Sequence, residues 1–290
     1  MKQTTQNAYA KINLTLDVTG KRSDGYHTVK MVMQSLELHD DLTVRRGTGQ
    51  GIVMRSNVGF LPNDDSNLAV RAAKLFRERT GVPDDGLAIE LYKRIPVAAG
   101  LAGGSSDAAA VLRALNDLYE TGLSAQELRD IGVKLGADVP YCIVGGSQLA
   151  EGIGEELTPL PAMPTCAAVI CKPPFSVITA KVYARMNGGK LDFRPDTAGM
   201  LAALEAGDYA GICHRLYNVM EAVTGGDYAE IGQIKNILLD NGADGALMSG
   251  SGPTVFGLFT SDERAQAAAE PLQKLFPTTV VTRIRPQPIF

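Results

Sequence analysis

The sequence predicts an α+β protein built as two lobes, and three observations carry that prediction. The chain has 290 residues, more than one ordinary core serves, so two domains, or one domain with a large second lobe, are expected. Its first half opens on alternating, β-rich segments and then turns helical. Its second half reads strand, helix, helix, strand, strand, helix, strand, the order of a mainly antiparallel sheet with helices on one face.

Residues 8–19, AYAKINLTLDVT, alternate and are rich in β-formers, so they read as a strand, with GKRSDGYH as the turn after it. TVKMVMQSLELHDDLTVRR supplies one or two further strands and GIVMRSN another. In DSNLAVRAAKLFRERTG, Leu68, Ala72, Leu75 and Phe76 recur at helical spacing, with Ser66 as N-cap and Gly81 as the stop. GLAIELYKRIPV is a strand that runs into a glycine-rich stretch, PVAAGLAGGSSDAA at 96–109. Beyond it Ala108, Val111, Leu112, Leu115, Leu118 and Tyr119 form one helical face, which Gly122 ends. Ser124 and Glu127 make a capping box for a second helix that stops near Gly136, and ADVPYCIVGGSQLAEGIGEEL follows as loop and strands.

The proline-rich TPLPAMPT at 158–165 is the linker, which divides the chain into residues 1–157 and 158–290. The second part runs CAAVICKPP as a strand, helices over about 196–221 and 227–241, DGALMSGSGPTVFGLFT as strand, glycine turn and strand, a helix over 261–275 and a last strand near 279–284. There is no internal repeat and no low-complexity tract.

Composition narrows the function. Lys plus Arg number 28 against 32 Asp plus Glu, a net charge of −4, so no basic excess argues for a nucleic-acid partner. A small anion remains open as a ligand, because backbone dipoles bind one without net positive charge. No stretch of roughly 18 apolar residues predicts a membrane span, and the start, MKQTTQNAYAKINL, has no apolar run of the signal-peptide kind, so a cytoplasmic protein is expected. The cysteines, Cys142, Cys166, Cys171 and Cys213, form no C-x-x-C pair and read as small buried hydrophobes in a reducing compartment. With only His27, His39 and His214, and no His/Cys cluster, a zinc site is not expected.

Three short stretches carry chemistry. The glycine-rich one lies between a strand and a helix, where fresh backbone N–H groups and the positive end of the helix dipole meet the Ser105 and Ser106 hydroxyls, as a phosphate cradle requires. It is neither a P-loop nor a clean G-x-G-x-x-G, and close strand–helix packing would also explain its glycines. GADVP at 136–140 puts Asp138 beyond a helix end and before a proline, where a turn aspartate is common. MSGSGPTVFG at 248–257 is a second glycine loop, or an ordinary hairpin turn.

Taken together, AYAKINLTL with Lys11, PVAAGLAGGSSDAA and SGSGPTVFG resemble, in order and spacing, the three motifs of the GHMP kinases, a family of small-molecule kinases. The resemblance implies a ribosomal-protein-S5-domain-2-like N-terminal lobe and a ferredoxin-like C-terminal lobe, with the active site in the cleft between them and the last strand packing back on the N-terminal lobe. Three stretches, AKINLTLDVTGKRSDGYHTV, RIPVAAGLAGGSSDAAAVLRALN and LGADVPYCIVGG, are similar to one branch of the family, whose acceptor alcohol is carried on a cytidine diphosphate. Kinases of that family acting on homoserine or mevalonate lack RSDGYH.

The resemblance further implies the residue roles. Asp138 takes the proton of the substrate hydroxyl, with Lys11 beside it. The stretch Pro96, Val97, Ala98, Ala99, Gly100, Leu101, Ala102, Gly103, Gly104, Ser105 and Ser106 binds ATP, with the part from Gly100 to Ser106 holding its phosphates, and Asn67 and Lys93 fit its adenosine side. Asn13, Tyr26, His27 and Tyr183 contact the cytidine diphosphate substrate, the tyrosines flanking the cytosine, and Gly250 and Gly252 line the cleft near its phosphates. ATP and Mg²⁺ are the implied cofactors, with the metal's protein ligands unassigned, and the protein is a monomer or a homodimer. Ala98, Ala99 and Ala102 stand where some members of the family carry glycine. Two rival classes fit less well. An anion-binding protein that kept only the fold needs neither Lys11 nor Asp138, and a dinucleotide-dependent reductase needs a G-x-G-x-x-G that this chain lacks.

Overall fold

A hairpin of two long strands, β1 (Gln3–Lys21) and β2 (His27–Arg46), organises the molecule. The structure, a computed structural model, describes residues 2–47, 49–186 and 193–290. The expected one or two strands after RSDGYH are one strand of 20 residues, because its pairing with β1 runs from His27 to Arg45, and residues 31–36 are buried on both faces of the sheet. Register shifts lie between Tyr9 and Lys11, Asn13 and Thr15, and Val18 and Gly20. Such bulges twist a strand and re-aim its side chains, and here two of them bracket Lys11 and Asn13.

The N-terminal lobe continues with β3 (Ile52–Ser56), α1 (Leu68–Thr80), β4 (Leu87–Tyr92), α2 (Gly103–Tyr119), α3 (Ala125–Gly132), α4 (Val139–Val144), β5 (Ser147–Glu151) and β6 (Glu156–Pro159). Its sheet runs β3-β4-β2-β1, with β5 on β2 and β6 on β5. Asn67 rather than Ser66 caps α1: its side chain accepts from Ala69 N, while the Ser66 hydroxyl turns back to Asp64. The Ser124–Glu127 capping box opens α3. Residues 139–144 are a short helix where a loop was expected, because Pro140 fits a helix's first turn and the apolar VPYCIV buries Val139 to Ile143.

The C-terminal lobe comprises β7 (Ala167–Cys171), α5 (Thr179–Met186), α6 (Thr197–Glu205), α7 (Tyr209–His214), β8 (Tyr217–Asn218), α8 (Glu221–Asp227), α9 (Ala229–Asp240), β9 (Gly245–Met248), β10 (Val255–Phe259), α10 (Asp262–Leu275) and β11 (Thr279–Arg283). Its antiparallel sheet has the order β11-β7-β10-β9. The single helix expected over 196–221 is instead two short helices and a strand. Asp196 and Asp208 each cap a new start, accepting from Gly199 N and Gly211 N, so local side chain–backbone bonds interrupt the apolar period.

The two lobes share a core. One face of the N-terminal sheet packs on α1 to α4, and on the other Ala10, Ile12, Leu14 and Leu36 meet Ala168, Ile170, Phe256 and Leu258 of the C-terminal sheet. The chain also crosses back twice. β8 pairs in parallel with β1 at Thr15 and Leu16. β11 itself belongs to the C-terminal sheet, and the residues after it return to the N-terminal lobe: Arg285 N donates to Ser35 O at 2.9 Å and Ile289 N to Val144 O at 2.7 Å.

Candidate active site

Where the glycine-rich stretch meets the second glycine loop, the fold leaves a cavity of about 440 Å³. Gly100 has φ +77°, and a Cβ on it would stand 2.3 Å from Ser249 O. Gly250 has φ +59°, and a Cβ there would stand 3.1 Å from Gly100 O and 3.5 Å from Lys11 Nζ. Side chains at these two positions would therefore drive the loops apart. Ser249 Oγ donates to Gly100 O at 3.0 Å and ties them together.

Lys11 and Asn13 project from the same side of β1 into this cavity, both buried. Lys11 Nζ donates to Asn13 Oδ1 at 2.8 Å and lies 3.9 Å from Asp138 Oδ2. Asp138 occupies the N-cap position of α4 but makes no capping bond, so its carboxylate stays available to the cavity, with the side chain 34% exposed. A buried cation facing a part-exposed carboxylate, beside a helix N-terminus and a backbone-lined loop, can take a proton from a hydroxyl and hold developing negative charge.

α2 starts at Gly103 with no side-chain cap, so its first N–H groups open toward the loop. Ala98, Ala99, Gly100, Ala102, Gly103, Gly104 and Ser105 all line the cavity. Ala98 and Ala102 hold left-handed backbone, φ +52° and +57°, that alanine adopts only under constraint. Leu101 and Ser106 point away. Leu101 is buried in the shared core and offers only its carbonyl, to Lys11 N at 3.2 Å, while the Ser106 hydroxyl donates to Tyr9 O. Behind Ser106, burial pushes the Cys142 thiol up to about 12, with Asp138 acting in the same direction, so it is no nucleophile for this site.

A second cavity of about 190 Å³ adjoins the first through Leu68, Ala98, Gly103 and Gly104, and brings together Asn67, Lys93, Pro96 and Val97. Asn67 spends its amide locally, accepting from Ala69 N and donating to Pro62 O. Lys93 Nζ donates to Asp40 Oδ2 at 2.5 Å and to Asp107 Oδ2 at 2.7 Å. Burial pulls the Lys93 ammonium down, and the two carboxylates more than offset it, so its pKa stands above the ordinary lysine value.

Tyr183, on α5, lines the larger cavity, and its ring stacks on that of His27, which starts β2 outside the lining, with centroids 4.9 Å apart and planes 24° from parallel. Tyr26 is 60% exposed on the hairpin turn and does not line the cavity. Gly252 also lies outside the lining, with Met248 Sδ against the place of a Cβ.

Sequence reasoning missed four contributors. Asn218 Nδ2 donates to Met248 O and Gly250 O, each at 2.8 Å, and fixes the second glycine loop from β8. The Thr179 and Ser251 hydroxyls, 2.8 Å apart, face the cavity from α5 and from that loop. Asp107 lies beneath the first loop. Ser251 and Asp107 stood inside recognised motifs, whereas Thr179 and Asn218 stand in no motif and carry no local signal.

The family model for the GHMP kinases N terminal domain matches residues 67–146, and that for GHMP kinases C terminal matches residues 200–278. The chain belongs to the GHMP kinase family. It is 47% identical over 279 residues, 96% of either chain, to the 4-diphosphocytidyl-2-C-methyl-D-erythritol kinase of Alkaliphilus metalliredigens. It is 50% identical over 261 residues to the protein of that name from Lachnoclostridium phytofermentans, covering 90% of this chain and 89% of the relative. A crystal structure of 4-(cytidine 5'-diphospho)-2C-methyl-D-erythritol kinase superposes with a TM-score of 0.82 at 35% identity, over 97% of this chain and 99% of the other. The homoserine kinase of Cytophaga hutchinsonii shares the fold, with a TM-score of 0.79 at 22% identity, over 99% of this chain and 97% of that one.

Proposed function

We propose that this protein is a 4-diphosphocytidyl-2-C-methyl-D-erythritol kinase, transferring the γ-phosphoryl group of ATP to the 2-hydroxyl of its substrate in the methylerythritol phosphate route to isoprenoids. One observation supports the residue roles most directly: Lys11 and Asp138 face each other across the mouth of a loop that opens its backbone N–H groups into the same cavity.

Asp138 holds the acceptor hydroxyl and takes its proton as that oxygen bonds to the γ-phosphorus and the bond from the γ-phosphorus to the bridging oxygen breaks, the electron pair leaving with ADP. Lys11, oriented by Asn13, faces that carboxylate and opposes the negative charge of the transferring group. The N–H groups at the start of α2 and the Ser105 hydroxyl grip the phosphates. The smaller cavity takes the adenosine. Tyr183 and His27, with Tyr26 folding in from the turn, hold the cytosine.

The residues present fit Mg²⁺ carried on the triphosphate. Among the described residues no three His, Cys, Asp or Glu side chains converge as an all-protein cage, and a phosphate-borne Mg²⁺ needs only one or two protein oxygens, here the Ser105 hydroxyl and the Asp138 carboxylate. When bound, the metal neutralises phosphate charge. No helix among the described residues is long and apolar enough to cross a membrane, and we place the enzyme in the cytoplasm.

The test is ATP consumption with 4-diphosphocytidyl-2-C-methyl-D-erythritol, homoserine and mevalonate side by side. Turnover is expected with the first alone, and equal or better turnover with either other alcohol would overturn the assignment.

A further inference from the structure

Asp107 is the second carboxylate of the buried cluster behind the smaller cavity. Its partner Asp40 is fully satisfied: Oδ1 accepts from Arg94 N at 2.5 Å and Ile95 N at 2.7 Å, and Oδ2 from Lys93. Asp107 is not. Its Oδ2 accepts from Lys93 at 2.7 Å, but its Oδ1 is buried and has no hydrogen-bond partner, on a side chain only 6% exposed. An unpaired buried carboxylate oxygen is expensive, because it has given up water and received nothing in exchange. Asp107 also lines the cavity, one helical turn beyond Gly103 and Gly104, which line it too. Gly104 leaves room beside it, since a Cβ there would meet only Leu68 Cδ1, at 3.6 Å.

Resting on the reading of this cavity as the nucleoside side of the ATP site, we propose that Asp107 is the residue that reads the nucleoside, its free Oδ1 accepting a hydrogen bond from an N–H or O–H donor of adenosine. In its ionised form the carboxylate accepts only, so a nucleotide without that donor, or with an oxygen in its place, leaves Oδ1 unpaired or repelled. Adenosine offers two kinds of donor, the exocyclic 6-amino group and the ribose hydroxyls.

The experiment compares ATP with ITP, purine riboside triphosphate, 2'-deoxy-ATP and 3'-deoxy-ATP, reading KM for transfer to the cytidine substrate and, with no acceptor present, the thermal shift each nucleotide produces. Wild type is expected to show a KM about tenfold or more above that for ATP where the donor is deleted, by the usual worth of a hydrogen bond to a charged group. ITP and purine riboside triphosphate suffering together assign the amino group, and one deoxy compound suffering alone assigns that hydroxyl. In Asp107→Asn the Lys93 ammonium can pair only with the amide oxygen, which turns the NH₂ group to the place of Oδ1. This variant is expected to lose the discrimination and, if the amino group is the donor, to prefer ITP.

The proposal is overturned if wild type treats all five nucleotides alike, if Asp107→Asn keeps the wild-type ranking, or if it raises every KM by one factor, as a purely structural residue would. Failure of the functional reading is distinct: ATP would then give neither a thermal shift nor transfer, and both inferences would fall. An ATP shift without transfer would leave only the acceptor assignment at fault.

Discussion

Asp138 and Lys11 are separable by mutation. Asp138 makes no capping bond, so Asp138→Asn removes a charge and no helix support. It is expected to lower kcat by about 10²-fold or more while melting within a degree or two of wild type, the usual range for a general base at a folded site. Near-normal kcat in the folded variant would remove Asp138 from the mechanism. Lys11 is buried against Asn13, and Lys11→Met replaces its stem with a chain of similar reach, so kcat is expected to fall more than KM for ATP rises. If only nucleotide affinity changed, the lysine would belong to the phosphate grip. Asp107 adds a pH dependence. Burial, reinforced by Asp40 and opposed by Lys93, raises its carboxyl to about 7. Lys93 and Asp40 are the charged groups that face it. A ligand donor favours the ionised form, so KM for ATP is expected to rise as pH falls through about 7, and Asp107→Asn is expected to flatten that profile.

At the scale of the element, the first glycine loop carries two different constraints. Gly100 is held by close approach of the second loop, whereas Gly104 faces open cavity. Gly103 would be an ambiguous probe, because a Cβ there meets Ile95 Cγ2 and Lys93 Nζ at 3.2 Å, so its variants would disturb packing as well as ligand. Gly104→Val separates the effects: it is expected to fold and to lose the thermal shift that Mg-ATP gives wild type by mass action. A Gly104→Val protein with the full ATP shift would place the phosphates elsewhere. The loop's alanines point the other way. Ala102 at φ +57° pays for left-handed backbone, and glycine there relieves about 1–2 kcal/mol, partly offset by its freer unfolded chain. Ala102→Gly is expected to raise Tm slightly, and a lower Tm would show that the methyl group's packing outweighs the strain.

At the scale of the molecule, the lobes are joined by shared apolar surface, by β8 on β1 and by the returning tail. A division at residues 157 and 158 therefore describes chain order and, on our reading, not two independent folding units. Calorimetry is expected to show one cooperative transition. Removing residues 285–290 deletes the Gln34 Nε2 bond to Arg285 O at 2.7 Å together with the Ser35 and Val144 contacts, and is expected to lower Tm while keeping a single transition. Two resolved transitions in the intact chain would show that the lobes fold apart.

Much was legible in the sequence where the signal is local. The β-rich alternation that opens β1 and the Ser124 capping box each express a constraint among neighbours, so they can be read along the chain. Lys11, Asp138 and the glycine-rich loop were recognisable for the same reason, as short motifs in a fixed order. What only the tertiary structure decided is how distant residues satisfy one another. Ser249 reaches Gly100 across 149 positions and Lys93 reaches Asp40 across 53. Asn218 holds a loop 30 residues away. The broken helix near Asp208 and the short helix at Val139 belong here too, because burial and capping outweighed the apolar period. Hydrophobic periodicity tells which face is buried but not which polar atom is left without a partner once it is, and so the unpaired Oδ1 of Asp107, on a residue that lines the smaller cavity, belongs to the fold and not to the motif that contains it.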